Sequence, residues 1–443
     1  MGHRLLLVNP VSPRRYGLSA NRISRFPPLG LGIVAALTPG DWEVEIADEN
    51  FEPFQFRDAS LVGLTAFTAA ATRAYEIAGL YRERGIPTVL GGIHDSMLPE
   101  EALRYVDTVV IGEAEGVWAR VIADFEAGNM QRTYRGEWPN LKGMPKPRHD
   151  LFHPGYGFGS IQTSRGCPMD CEFCSVAAFN GRRYRQRPVE EVLDELEAIR
   201  QKRVFFVDDN LIGYGKRAAE RAIALFKGII ERGIKKDWLC QASLNFAEDE
   251  EVLEYAARSG CRVVFLGVEA ESTDALTDVN KRVNLRMGVD AYEEAFRRIH
   301  RHGIAVLGAF LYGTDSDTPE ALRRRTEYIL GSGVDAIQLT YLTPLPGTRL
   351  FRRLLDEGRL LYTDFPADWD HYYMTEVTHR PLLTEPQELR DAMRAINERL
   401  YARSSIWRRA ARTWRDTRSV ATAMWARSLN MGFRNVAIGS GNL

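Results

Sequence analysis

Several things are scarce in this chain of 443 residues, and each scarcity closes off a class of protein. Cysteine is rare: there are five, an odd number, with three packed between 167 and 174. That pattern argues against a disulfide framework and for a metal site in a reducing compartment. Long apolar runs are missing. No stretch of roughly 18 uninterrupted apolar residues occurs, so there is no candidate spanning helix. The opening MGHRLLLVNP has a short apolar run followed at once by Asn9 and Pro10, too short for a secretion signal and well suited to a first strand. An excess of either charge is also missing. Lys and Arg total 58 against 59 Asp and Glu, so the whole-chain charge points to no polyanionic partner. No short-period repeat is present. The reading at this level is a cytoplasmic globular protein.

What is present is core-forming material: 45% of the residues are hydrophobic. At about 100–200 residues per domain the length predicts two or three domains. Residues 1–130 alternate short apolar runs with amphipathic stretches. RLLLVNP (4–10), VEIADEN (44–50), LVGLTAFT (61–68), PTVLGG (87–92) and TVVIGEAEG (108–116) read as buried parallel strands, with helices at 70–84 and 117–126. This alternation predicts a doubly wound α/β domain whose ligand lies beyond the carboxyl ends of the strands. Those ends carry Asn9, Asp48, Thr65 to Thr68, Gly91-Gly92-Ile93-His94 and Gly112-Glu113. Residues 131–157 hold four prolines and no steady period, and read as a linker.

A second strand–helix series fills 158–370. Its six apolar strands begin at GSIQTSRG, VFFVDDN, WLCQASLNF, VVFLGVEA, IAVLGAFLYG and AIQLTYLTPLPG, and each but the last is followed by a helical pattern. A partly open (β/α)6 barrel accommodates that order better than a flat sheet. Residues 371–443 show no strand pattern and read as a helical C-terminal region. Between 402 and 434 they carry eight Arg against one acid, Asp416, with Trp407, Trp414 and Trp425 interleaved. One reading is a solvated tail that packs its tryptophans on the barrel. The other is an interfacial helix at an anionic membrane surface. Lysine is absent from 402 onward and no RNA-binding module is recognisable, so nucleic acid fits less well.

The chemistry is concentrated in Thr163-Ser-Arg-Gly-Cys167-Pro-Met-Asp-Cys171-Glu-Phe-Cys174. Three thiolates at C-x3-C-x2-C, on a loop just after a strand, can wrap three corners of a [4Fe–4S] cubane and leave the fourth iron open. Structural zinc would want a fourth protein ligand. Cys240 and Cys261 sit in apolar strand patterns and read as small core residues.

With these residues in view, the chain resembles the radical S-adenosylmethionine (SAM) superfamily. Within it, the likeness is to the subgroup with an N-terminal cobalamin-binding domain, which includes anaerobic magnesium-protoporphyrin cyclases and hopanoid methylases. The resemblance covers residues 1–375. It implies that Cys167, Cys171 and Cys174 ligate the cluster and that the open iron chelates SAM. Reductive cleavage would then give a 5′-deoxyadenosyl radical that activates an unactivated carbon. It further implies SAM contacts from Phe173, from Asp208 at the end of the second strand, and from Gln241 and Ser243 on the third. Glu269 would contribute from the fourth strand, Gly308 from the fifth, and Pro344 from the loop after the sixth. In the first domain, Thr65, Phe67, Thr68, Gly91, Gly92, His94, Gly112 and Glu113 take the subgroup's cobalamin-binding positions. The familiar Asp-x-His-x-x-Gly motif is not found after the first strand, an absence the subgroup shares; residues 10–19 run PVSPRRYGLS instead.

The resemblance therefore implies three cofactors, a small-molecule or lipid-like substrate and an external electron donor of the flavodoxin or ferredoxin type. Methyl transfer is the expected outcome, with a porphyrin-type cyclisation or rearrangement as the nearest rival. A methylthiotransferase acting on tRNA would need three more cysteines in the first domain, and there are none before Cys167. A non-enzymatic metal-binding regulatory module would need no ordered strand-end motifs. Replacing Cys171 by Ala is expected to abolish both iron–sulfur content and SAM cleavage; a variant that still cleaves SAM would overturn the cluster assignment.

Overall fold

Period-two alternation sends the side chains of each strand in the first domain to two different apolar layers. The computed structural model describes residues 2–12 and 25–439, so most of the 10–19 stretch lies outside the described residues. The first sheet contains β1 (Arg4–Asn9), β2 (Glu43–Asp48), β3 (Leu61–Thr65), β4 (Thr88–Gly91), β5 (Thr108–Ile111) and β6 (Thr133–Arg135). All pairings are parallel, in the order β2-β1-β3-β4-β5-β6. Leu5 and Leu7 pack with Leu31, Trp118 and Val121 on one side. Leu6 and Val8 pack with Ala71, Ala74 and Ala78 on the other. The first layer comes from helices Leu29–Leu37 and Trp118–Glu126, the second from Ala71–Arg82. Strand order reverses at β1, between β2 and β3, which is where a doubly wound sheet opens a crevice. Strand β6 falls inside the stretch expected to be linker. Its three residues are too few to give a periodic signal, but they complete the sheet edge beside β5.

The second sheet begins with β7 (Gly159–Ile161). A small antiparallel ribbon, β8 (Ser164–Arg165) with β9 (Arg185–Gln186), brackets the cysteine loop. Then follow β10 (Arg203–Phe206), β11 (Asp237–Ala242), β12 (Cys261–Glu269), β13 (Ala305–Tyr312) and β14 (Ala336–Tyr341). The order β14-β13-β12-β11-β10-β7 is sequential and parallel, and β7 does not pair with β14, so the barrel is open. Every residue of β13 is buried, as a parallel strand covered on both faces requires. Cys240 and Cys261 lie in this core, fully buried.

Helices Pro386–Leu400, Arg403–Thr417 and Val420–Gly439 form the C-terminal region. The last of them closes the end of the barrel where the strands begin. Thr422 Oγ1 donates to the Gly303 carbonyl (2.9 Å), and Asn430 Nδ2 donates to the Asp335 carbonyl (2.8 Å). The Trp425 ring lies 5.8 Å from that of Phe158. Asp335 and Phe158 immediately precede strands, and Gly303 lies two residues before one. The tail thus packs as a barrel floor, but only one of its three tryptophans takes part: Trp407 and Trp414 are 55% and 57% exposed. Among the described residues no helix is long and apolar enough to cross a membrane.

Asp335 is the knot of that floor. Fully buried, its carboxylate accepts from His300 Nε2 (2.7 Å), Val306 N (2.7 Å) and Thr413 Oγ1 (2.7 Å). Burial raises the Asp335 pKa, but His300 more than reverses it and the carboxyl is held low. Burial likewise lowers His300, and Asp335 more than reverses it, leaving the imidazole raised. A histidine raised on folding contributes stability below its unfolded pKa that is lost as pH climbs through the folded value. The urea midpoint is therefore expected to fall as pH rises from about 6.5 through the folded pKa of His300, and His300→Gln should flatten that dependence. An unchanged slope in the variant would contradict the assignment.

Candidate active site between the two domains

The cysteine loop is shaped by backbone that only glycine can supply. Gly166 has φ +87°, and a Cβ there would lie 2.3 Å from the Arg183 carbonyl oxygen. This approach lets Cys167 N donate to the Gly181 carbonyl (3.4 Å). Farther along, Glu172 N donates to Val279 O (3.1 Å), and Glu172 O accepts from Leu350 N (3.1 Å). Arg349 holds Asp170 at 2.7 Å, and Arg353 reaches both Glu172 oxygens at 3.2 Å. The loop is therefore tied from outside by helix Arg349–Asp356 and by the segment after β12.

Its three thiols are half-buried. Burial raises all three, Cys174 to about 12, and the nearby Lys281 offsets only part of it. Among the described residues no three His, Cys, Asp or Glu side chains converge as a mononuclear site requires. A cubane instead spreads its thiolates over three irons, and this donor set fits it.

Facing the thiols is a buried ion pair, Lys281 Nζ to Glu269 Oε1 at 2.7 Å. Burial lowers the Lys281 pKa, but Glu269 and then Cys171 raise it above its ordinary value, so it stays charged. Glu269 has φ +64° at an irregularity in the β12–β13 register, a conformation that costs on the order of 1–3 kcal/mol for a non-glycine residue. A Cβ on Gly267 would strike Glu269 Oε1 at 2.5 Å and Lys281 Nζ at 2.7 Å, so that glycine makes room for the pair.

The other residues expected to contact SAM divide. Ser243 Oγ pairs with the Tyr214 hydroxyl (2.6 Å) and accepts from Asn210 Nδ2 (3.3 Å), beyond the carboxyl end of β11. Gln241 is half-buried on β11, and Pro344 is buried just after β14. Phe173 packs into a small apolar core with Leu342 and Leu350. Asp208 and Gly308 do not line the cleft between the domains. Asp208 is fully buried and turned inward, accepting from Thr163 N, Thr163 Oγ1 and Ser164 Oγ; its neighbour Asp209 faces the cleft instead. Burial, and then the charge of Asp208, push Asp209 up to about 6. Gly308 lies in mid-strand, and a Cβ there would meet Val334 and Phe310 at 3.0–3.1 Å. It is a packing glycine beneath the turn into β14.

A cleft of about 770 Å³ separates the carboxyl ends of the first sheet from those of the second. Thr65, Phe67, Gly91, Gly92, Gly112 and Glu113 line it from the first domain. Gln162, Arg165, Phe179 and Asp209 line it from the second. Leu7, Val89, Val110 and Trp118 make its inner end apolar. Gly92, at φ +133°, brings the β4 turn against the β3 turn; a Cβ would lie 2.9 Å from the Ala66 carbonyl oxygen. Phe67 is 76% exposed at the rim, an apolar surface with no protein partner to cover it. These small and apolar edges fit a large flat ligand approached by backbone. Thr68 and His94 do not line the cleft. His94 is buried between Thr68 Oγ1 (3.4 Å) and Glu101 Oε1 (3.3 Å), and Glu101 also accepts from Trp369 Nε1 (3.0 Å). Both residues belong to a polar knot that binds the first domain to the segment after the barrel.

Sequence reasoning missed the group that joins the domains at the cleft. Glu113 accepts from Arg165 Nη1 (2.7 Å) and from both Arg185 Nη atoms, while Arg165 Nη2 donates to Glu115 (2.6 Å). The Glu113 side chain is 2% exposed and that of Arg165 8%. Arg165 stands two residues before Cys167, in the motif itself, but nothing in the spacing reveals a partner in another domain.

The radical SAM superfamily model matches residues 161–329, and the B12 binding domain model matches residues 17–122. The bacteriochlorophyllide d C-12(1)-methyltransferase of Chlorobaculum tepidum is 29% identical over 426 residues, spanning 91% of this chain and 88% of that protein. The hopanoid C-2 methylase of Rhodopseudomonas palustris is 30% identical over 363 residues, spanning 79% of this chain and 68% of that protein. In fold, the chain matches the radical SAM methyltransferase TsrM of Kitasatospora setae, solved with cobalamin and a [4Fe–4S] cluster. The TM-score is 0.65 at 19% identity, covering 82% of this chain and 80% of that one.

Glu113→Gln is expected to leave the mostly buried Arg185 without its carboxylate and Arg165 with Glu115 alone, at a cost of about 3–5 kcal/mol to the domain contact. Limited proteolysis between 136 and 158 should accelerate at least tenfold. Cleavage at the wild-type rate would show that the network does not hold the domains.

Proposed function

The chain belongs to the radical SAM superfamily, among its cobalamin-dependent methyltransferases, and we propose that the interdomain cleft transfers a methyl group to an unactivated carbon of a large, mainly apolar molecule. Its cofactors are a [4Fe–4S] cluster, SAM and cobalamin. The observation that carries the reading is the cleft itself: the small strand-end residues of the first sheet face the helix Val176–Phe179 that continues the cysteine loop. When bound, the cluster supplies the electron that cleaves SAM, and cobalamin carries the methyl group.

The chain's own residues supply position and exclusion. Cys167, Cys171 and Cys174 would hold the cluster by three of its irons, leaving one for SAM. Lys281 and Glu269 offer a fixed cation and anion to a ligand that carries both a carboxylate and an ammonium group, as the amino-acid end of SAM does. Gln241, Ser243 and Pro344 take the strand-end positions around it, with Asp209 in place of Asp208. Thr65, Phe67, Gly91, Gly92 and Gly112 would cradle the corrin, and the apolar inner end around Trp118 would exclude water from it.

Two of the relatives above are named for a bacteriochlorophyllide and a hopanoid. A rigid apolar carbon skeleton is the substrate class we propose for this chain. Porphyrin-type cyclisation is less favoured, since the cyclases among the relatives are 25% identical and the two methyltransferases above 29% and 30%. Reduction of the cluster calls for an external carrier of the flavodoxin or ferredoxin type. Peripheral membrane contact is a separate reading, favoured by the exposed Trp407 and Trp414 with Arg427 lying 4.2 Å over the Trp407 ring. That face belongs to the barrel floor, opposite the cleft, so it would anchor the enzyme rather than deliver substrate.

Reduced enzyme given methyl-labelled SAM and candidate polycyclic lipids or chlorins is expected to yield 5′-deoxyadenosine together with labelled product. 5′-Deoxyadenosine with a cyclised, unlabelled product would overturn methyl transfer. Replacing Trp407 and Trp414 together by Ala should weaken co-sedimentation with anionic vesicles about tenfold; unchanged co-sedimentation would remove the membrane reading.

A further inference from the structure

The outer side of the cysteine loop, away from the cleft, carries a concentration of exposed arginine in a chain whose total charge is balanced. Arg182, with a side chain 59% exposed, donates to the carbonyl of Pro168 between the first two cysteines (3.5 Å). Arg349, 53% exposed, donates to both the side chain and the carbonyl of Asp170 (2.7 and 2.8 Å). Arg282, also exposed, is bound through Asn280, whose side-chain amide donates to that same Asp170 carbonyl. Three guanidinium groups thus surround one carboxylate, and each is joined to the loop that carries the thiols. Beside them the Trp138 ring, 53% exposed, lies 3.1 Å from where a Gly181 Cβ would stand, and its Nε1 donates to the Phe179 carbonyl (2.8 Å).

An exposed tryptophan among arginines is the composition of a protein interface rather than of ordinary surface. The position limits what could use it. A partner seated here would meet residues bonded to the loop that carries the thiols, and none of the four residues lines the cleft. A cluster at these cysteines, the reading on which this inference rests, must receive an electron from outside for each SAM cleaved.

We infer that the face formed by Trp138, Arg182, Arg282 and Arg349 is the docking surface for a small acidic electron-carrier protein. The carrier gives one electron to the oxidised cluster and leaves one electron more oxidised; no proton or group is transferred. The arginines steer an acidic partner to the loop and raise its rate of encounter, and the tryptophan supplies the apolar anchor.

The test uses the reconstituted full chain and two reductants of opposite charge: reduced flavodoxin, an acidic protein, and reduced methyl viologen, a small cation. Cluster reduction is followed by loss of visible absorbance in stopped flow, for wild type and for the Arg182→Glu, Arg282→Glu double variant. Arg349 is left in place because it holds Asp170. Flavodoxin should reduce the variant about tenfold more slowly or worse, and salt should slow its reaction with wild type. Methyl viologen should reduce both proteins at similar rates, or the variant faster. Equal flavodoxin rates, with no salt dependence in wild type, would overturn the docking surface while full reduction by viologen leaves the cluster assignment intact. Equal slowing with both reductants would also overturn it, because the arginines would then serve only to shape the loop.

Discussion

The arrangement depends on a buried ion pair that crosses the domain boundary. Glu113, at the end of the first sheet's fifth strand, accepts from Arg165 and Arg185 on the two strands that bracket the cysteine loop. Neither partner could be buried alone, because an uncompensated charge at this depth costs several kcal/mol. The network therefore specifies register more than it adds stability. The edge where a corrin would lie and the loop where a cluster would sit must meet in one relation, or both charges are stranded. Trp369 and Glu101 make a second attachment from the far side of the barrel, with His94 enclosed between them.

The two ends of the second barrel have separate duties. At the carboxyl end, strand irregularity and a left-handed glutamate place Glu269 against Lys281 under the thiols. At the other end, Asp335 pairs with His300 and accepts from Asn430 of the last helix, and these bonds fix the floor. The arginine-rich tail illustrates how composition can mislead. Eight arginines suggest a surface helix, but Arg409 is buried, donating to the Leu400 carbonyl (2.7 Å) and to Asn430 Oδ1 (3.2 Å), and Arg412 donates to the Val334 carbonyl near a strand start. Only the face carrying Trp407 and Trp414 remains for an outside partner.

What was legible in the sequence was whatever repeats or is locally spaced. The apolar runs located strands of both parallel sheets along the chain, and C-x3-C-x2-C located the loop. Strand β6 was invisible because three residues carry no period. Asp208 and Asp209 are adjacent past a strand end, and sequence alone does not say which turns inward; Ser164 and Thr163 decide it by hydrogen-bonding Asp208. Thr68 and His94 stand at the right strand ends, yet the short helix that begins at Ile93 rolls His94 away from the cleft toward Glu101. Gly308 matched a motif, but the space its missing side chain leaves is taken by Val334. Lys281 and Arg165 matter through partners distant in sequence, and no local pattern encodes such a pairing.

The central claim is that one chain holds an iron–sulfur cluster and cobalamin together across this cleft. The most direct measurement is anaerobic reconstitution with iron, sulfide and hydroxocobalamin, followed by desalting and a count of both cofactors per chain. The account predicts about four irons and about one cobalamin. Four irons with no retained cobalamin would contradict it, reducing the first domain to a scaffold.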